Sequence, residues 1–170
     1  RIMDLPGGAY DFSYVKDLDQ KTSANELMIA VQFDGNTISE KFSTLMNLES
    51  NFVIDHHGKF FKPIEPNSME VDRLKQLIDR GNCWYKFAGC YESSAIGAPH
   101  YTDVAKIASL IANYAPERII WGTNWPHNGA KSQEDYPDDM DLLDLVLDWV
   151  PTEHHKKLLV QNPAELFRFA

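Results

Sequence analysis

Apolar positions along this 170-residue chain fall into two alternating kinds of run. Residues 27–33 are almost unbrokenly apolar and close at Asp34-Gly35, while residues 51–55 end at His56-His57-Gly58. Residues 83–89 and 118–122 repeat the pattern, and Arg1-Ile2-Met3-Asp4 reads as the end of a further strand. Continuous β-branched and aromatic runs, without strict alternation, predict parallel strands covered on both faces. Between the strands the period becomes helical. Val71, Leu74, Leu77 and Ile78 form one stripe, opened by the Asn67/Ser68 cap region with Glu70 and closed by Gly81. Val104, Ile107, Ala108, Ile111 and Ala115 form another, stopped by Pro116. Ile38, Phe42, Leu45 and Met46 make a shorter one. Residues 138–150 predict a helix that buries Leu142, Leu143, Leu145, Val146 and Leu147 and turns Asp141, Asp144 and Asp148 to water. Segment 9–24 carries the weakest signal, with Phe12, Val15 and Leu18 (the chain then closes on a helix at 152–160 and a capped turn at Asn162-Pro163-Ala164-Glu165-Leu166).

Strand starts near 27, 51, 83 and 118 are 24, 32 and 35 residues apart. A (β/α)8 barrel runs at about 31 residues per unit, since about 250 residues supply eight units. The fold class is therefore α/β, with residues 1–170 expected to form one domain: the carboxyl-terminal part of a TIM barrel, roughly units 4–8, left incomplete. A five-stranded doubly wound sheet is the rival architecture. Five units leave two sheet edges open, so the missing amino-terminal half is expected on the same polypeptide or on another chain.

Composition narrows the partners. A net charge of −9 and a pI near 5.0 argue against nucleic acid or an anionic membrane as the main partner. No run reaches the roughly 18 apolar residues of a membrane span. Cys83 and Cys90 are too few for a disulfide scaffold and suit a reducing, cytoplasmic setting.

Polar residues gather just past each strand's carboxyl end, where α/β folds place their chemistry. In Asp55-His56-His57-Gly58-Lys59, a period of two turns one histidine toward the barrel axis. His56 there offers a metal ligand, a general base or an electrophile for a carbonyl, against the plainer reading of solvent-facing histidines on a capped strand. In Trp121-Gly122-Thr123-Asn124-Trp125-Pro126-His127-Asn128, Gly122 admits a close backbone approach, while Asn124 and His127 offer hydrogen-bonding groups. The plainer reading is an aromatic core corner. Seven acids at positions 134–148, Glu134 among them, read as a helix start and its wet face.

The stretch 121–127 resembles the Gly-Ser/Thr-Asp-Trp-Pro-His signature of the eighth strand in the amidohydrolase superfamily, in its lactonase branch around 2-pyrone-4,6-dicarboxylate hydrolase. Val53-Ile54-Asp55-His56-His57-Gly58-Lys59 is similar to that branch's sixth strand, and residues 83–91 to its seventh. Residues 101–105, 115–118, 148–151 and 162–167 match further words of the branch, so the resemblance covers nearly the whole chain. Two departures matter. The superfamily's first-strand His-x-His pair is not among these residues, and its eighth-strand Asp, which takes a proton from water, is Asn124. Glu92 stands near an anion-binding Arg of the dicarboxylate hydrolases. This variation, with residues 3–8 and 32–35, is similar to the subgroup that isomerises D-galactarolactone, interconverting aldarolactones of different ring size.

The resemblance implies a metal-independent enzyme of sugar-acid catabolism with no cofactor, whose partner is a small lactone or carboxylate. Acyl transfer within the substrate needs a polarised carbonyl, a proton shuttle and a holder for the carboxylate. The expected catalytic residues are His56, as proton carrier or electrophile, and Asn124, as a neutral donor near the carbonyl. Lys59, Gln32, Tyr91, Glu92, Trp125 and His127 are expected to bind substrate. A lactone or dicarboxylate hydrolase using the same pocket is one alternative; an inactive fragment or binding module is another. With Asn124 an amide, His56 is the one good ligand here where a catalytic zinc takes three, so no metal is expected.

Overall fold

The computed structural model describes residues 1–130, 132 and 135–169. Five strands, β1 (Ile2–Asp4), β2 (Ile29–Phe33), β3 (Phe52–Ile54), β4 (Cys83–Phe87) and β5 (Ile119–Trp121), lie in chain order in one sheet. Every pairing is parallel, with Ile2 opposite Val31, Ile29 opposite Phe52, Phe52 opposite Cys83 and Tyr85 opposite Ile119. The outer edges of β1 and β5 pair with no other strand among the described residues. This is the open βα succession that the strand spacing predicts.

The sheet is covered on both faces. On one, Val31, Phe33, Phe52, Ile54, Cys83, Tyr85, Phe87 and Ile119 join the helices in the main core. On the other, Val53, Trp84 and Ile120 pack with Leu166 and Met28. That double covering is why the strands read as unbroken apolar runs.

The helices α1 (Val15–Ala24), α2 (Ile38–Leu45), α3 (Met69–Asp79), α4 (Thr102–Tyr114), α5 (Asp139–Trp149) and α6 (Asn162–Phe167) follow the sequence stripes with three differences. In α3 the stripe is fully buried, Ser68 Oγ accepts from the Val71 amide at 3.4 Å, and Gly81 ends the run in the left-handed region at φ +86°. The α1 segment, weak in apolar pattern, is held instead by a polar clasp. The buried Asp19 carboxylate accepts from the amides of Glu49 and Ser50 at 3.0 and 2.9 Å. In α5 only Leu142 and Val146 are buried; Leu143, Leu145 and Leu147 are half-buried, because a helix beside the open sheet edge is covered on one flank only. The closing segment is a short 3-10 turn (Thr152–His154) and a π-helical stretch (Lys157–Gln161) running into α6. Asn162 does not cap that helix. Its amide donates to the carbonyls of Pro116 and Ile119 at 2.8 and 2.7 Å and ties the helix to β5.

His56 and His57 part at the end of β3. His57 enters the helix-side core, where its ring stacks on Phe87 with centroids 5.2 Å apart, and Trp149 meets it edge-on. Burial pushes its pKa down from 6.5 to about 3, with His56 acting the same way and Asp55 opposing. An unfolded chain takes up this proton below about pH 6.5, and the folded one only below about 3. Between those values the unfolded state binds more protons, so stability falls on acidification, by up to about 1.4 kcal/mol per pH unit. Urea unfolding midpoints from pH 7 to 4.5 are expected to fall for the wild type and to fall less for His57→Phe. Equal slopes in the two proteins would show that another group titrates.

Candidate active site

At the carboxyl ends of the strands lies an open cavity of about 970 Å³. It is lined by Gln32 from β2, His56 and Lys59 from the turn after β3, Tyr91 and Glu92 after β4, and Asn124 after β5. Arg1 and Met3 close the β1 side. The loops are wound tightly enough that His56, His57, Lys59, Asn124 and His127 all have positive φ. Left-handed backbone costs about 1 kcal/mol or more at a non-glycine residue and concentrates where side chains must be aimed.

Asn124 sits at the centre. Its Nδ2 donates to Glu92 Oε1 at 2.7 Å and to Tyr91 Oη at 2.9 Å, and its Oδ1 lies 2.7 Å from His56 Nε2. A carboxylate only accepts, so Glu92 sets which way the amide faces; the amide oxygen only accepts, so the hydrogen is on His56 Nε2. Both Asn124 N–H groups are thereby used within the protein. Asn124, expected as a neutral donor near the carbonyl, here spends its N–H groups on Glu92 and Tyr91 and turns its oxygen to His56.

Beneath His56, the buried Asp55 carboxylate gathers positive charge. It accepts from Arg1 at 2.7 Å, from Lys86 Nζ at 3.0 Å and from the His56 amide at 3.1 Å, and His56 Nδ1 lies 3.1 Å from it. Burial would raise the Asp55 pKa, but His56, Lys86 and Arg1 outweigh it and hold the carboxyl well below the usual carboxylate range. Lys59, itself buried, pairs with Glu92 Oε2. For Glu92, too, burial opposes ionisation, and the hydrogen bonds from Lys59 and Asn124 win and lower its pKa. The cavity wall thus sets three cations, Arg1, Lys86 and Lys59, against two carboxylates, Asp55 and Glu92. Gln32 lines the cavity and is 5% exposed, and its Oε1 is itself buried with no hydrogen-bond partner among the described residues.

His56, Lys59, Gln32, Tyr91, Glu92 and Asn124 therefore meet at one cavity. Two expected substrate contacts stand apart. Trp125 is 76% exposed and does not line the cavity: Asn124 turns the chain, and the Trp125 amide folds back onto Thr123 Oγ1 at 3.0 Å. His127 is buried one layer behind the wall, with Nδ1 2.7 Å from Tyr91 Oη. Sequence reasoning missed Arg1, Lys86, Gly89 and Asp139. Lys86 had a signal, a lone charge two positions from Trp84 on the face turned away from the main core. Asp139 was hidden in the acid-rich run, whose Glu134 lies outside the described residues.

Among the described residues the donors do not make up the three protein ligands that a catalytic zinc takes. Among the described residues no three His, Cys, Asp or Glu side chains converge. His56 Nε2 is given to an amide oxygen, and the Glu92 carboxylate on that side of the ring is 3.9 Å away and held by Lys59. No helix among the described residues is long and apolar enough to cross a membrane.

Comparison with known proteins agrees with this architecture. The chain is 50% identical over 171 residues to a D-galactarolactone isomerase of Agrobacterium fabrum, covering 100% of this chain and 58% of that protein. It is 33% identical over 140 residues to a 4-sulfomuconolactone hydrolase of Hydrogenophaga intermedia, covering 82% and 46%. A crystal structure of an Agrobacterium tumefaciens protein in its apo form superposes with a TM-score of 0.94 at 49% identity, over 100% of this chain and 61% of that one. The chain thus spans less than two thirds of the length of these relatives, and its sheet is part of their larger (β/α)8 barrel. The amidohydrolase profile matches residues 40–169, and the chain belongs to the amidohydrolase family.

Proposed function

We propose that this chain forms the substrate-aiming part of a metal-independent lactone isomerase, which exchanges the ring size of a sugar-acid lactone by intramolecular acyl transfer. The observation that carries the reading is the Asn124 amide pinned between Glu92, Tyr91 and His56. An amide there cannot take a proton from water, whereas a reaction whose nucleophile is the substrate's own hydroxyl needs no activated water. The 50% identity to a D-galactarolactone isomerase supports the same substrate class.

In this reading the substrate's carbonyl oxygen competes for the His56 Nε2 hydrogen, which stabilises the charge gained as the hydroxyl adds. Lys59 and Arg1 offer positive charge to a carboxylate at the cavity wall. The remaining strands that flank β1 and β5 come from outside this chain, on the same polypeptide or another, and complete one barrel domain. Free Cys83 and Cys90 support a cytoplasmic setting, where thiols stay reduced.

Proton NMR of a galactarolactone with the full-length protein is expected to show a second lactone appearing ahead of any free diacid, at a rate unchanged by EDTA. Diacid as the first product would establish hydrolysis, the activity named for the sulfomuconolactone relative. Loss of activity on chelation, restored by zinc, would overturn metal independence.

A further inference from the structure

Resting on that reading, ring exchange demands that a proton leave one substrate hydroxyl and return to another. His56 presents a hydrogen on Nε2, and Glu92 is neutralised by Lys59, so neither is a free proton acceptor. Behind Asn124 lies a chain of groups not yet used. Asn124 Nδ2 donates to Tyr91 Oη at 2.9 Å, which leaves the tyrosine's own hydrogen for His127 Nδ1, 2.7 Å away. On the far side of the ring, His127 Nε2 is 3.3 Å from Asp139 Oδ1, an ion-pair distance, and that buried oxygen has no hydrogen-bond partner among the described residues. A carboxylate opposite Nε2 places the hydrogen there and leaves Nδ1 as the acceptor. Tyr91 lines the cavity, and His127 and Asp139 do not.

We infer that Tyr91, His127 and Asp139 form a proton relay in which Tyr91 is the catalytic residue and His127 and Asp139 act through it. As the substrate hydroxyl oxygen bonds to the lactone carbonyl carbon, its proton passes to Tyr91 Oη while the Tyr91 proton passes to His127 Nδ1. The imidazolium so formed lies against Asp139, and the carbonyl oxygen carries the negative charge of the tetrahedral adduct. Collapse breaks the original ring C–O bond. The leaving alkoxide takes its proton from Tyr91, which recovers one from His127, so the enzyme ends unchanged. Burial, with the nearby Glu92 and Asp139 charges, raises the Tyr91 pKa and keeps the hydroxyl neutral between turnovers.

The test is steady-state isomerisation by Tyr91→Phe, Asp139→Asn, Asp139→Glu and the double variant Tyr91→Phe/Asp139→Asn in the full-length protein. Loss of a general acid–base group lowers rates by about 10²–10⁴, so Tyr91→Phe is expected to lose that much in kcat with KM nearly unchanged. Asp139→Asn is expected to lose about tenfold or more in kcat, with Asp139→Glu partly restoring it. The double variant should be no slower than Tyr91→Phe alone, because the aspartate then has nothing to act through. Asp139→Asn at wild-type kcat, multiplicative losses in the double variant, or a Tyr91→Phe defect confined to KM would each overturn the relay. Asp139 is partly exposed, so its variants decide the matter if Tyr91→Phe fails to fold. Diacid as the first product of the wild type would instead refute the isomerase reading, on which the relay depends.

Discussion

Replacing Asn124 with Asp is expected to slow lactone isomerisation by roughly two to three powers of ten, the cost of misplacing His56 and Tyr91, which the amide holds. The substitution looks minimal and reverses two contacts. The oxygen replacing Nδ2 would face Glu92 Oε1 at 2.7 Å, so two carboxylates would have to share one proton. The same oxygen would face Tyr91 Oη at 2.9 Å and draw the tyrosine hydrogen away from His127. The proton trapped between positions 124 and 92 also weakens the new carboxylate as a base for water. The variant is therefore expected to lose isomerisation while gaining at most slow ring-opening hydrolysis. Proton NMR that follows ring exchange and free diacid separately reads both quantities. Isomerisation at the wild-type rate would mean that the amide's hydrogens are irrelevant to the reaction.

The barrel segment was legible because both faces of the sheet are covered. Runs such as Ile29–Phe33 and Cys83–Phe87 are too short for helices and rich in β-branched or aromatic residues, and their spacing implies βα units. The stripe of α3 was equally plain, since one face packs and the other does not. Where the fold is held by polar side chains, the pattern was silent: α1 is anchored by Asp19 and α6 by Asn162, neither of which contributes to an apolar period.

The site divides in the same way. His56, Lys59 and Asn124 were visible because strand ends face the barrel mouth. The direction of each hydrogen bond was not, because it depends on Glu92 meeting Asn124 across 32 positions and His56 meeting it across 68. Asp139 looked like one more solvated acid until α5 brought it against His127. Trp125 drew attention as a large aromatic in a loop, but the backbone turn at Asn124 decides where it points.

Gly89 is the residue through which packing controls this chemistry. It has φ +56°, and a Cβ built on it would lie 2.9 Å from Asn124 Nδ2 and 3.0 Å from His56 Cδ2. Gly89→Ala thus adds a left-handed alanine, at a cost of about 1–2 kcal/mol, and a methyl group wedged against the bonded pair. The pair cannot retreat freely, since Asn124 is bound to Glu92 and Tyr91, and His56 rests on Asp55. Misplacement by about 1 Å costs on the order of 10²-fold in rate, and that loss is expected in kcat for the alanine variant. The fold should survive, because the strain falls on a loop and leaves the strand cores intact. Thermal melting is then expected to drop by only a few degrees while kcat falls about a hundredfold. A variant that melts early yet turns over normally when folded would show that the His56–Asn124 contact tolerates displacement and does not set the rate.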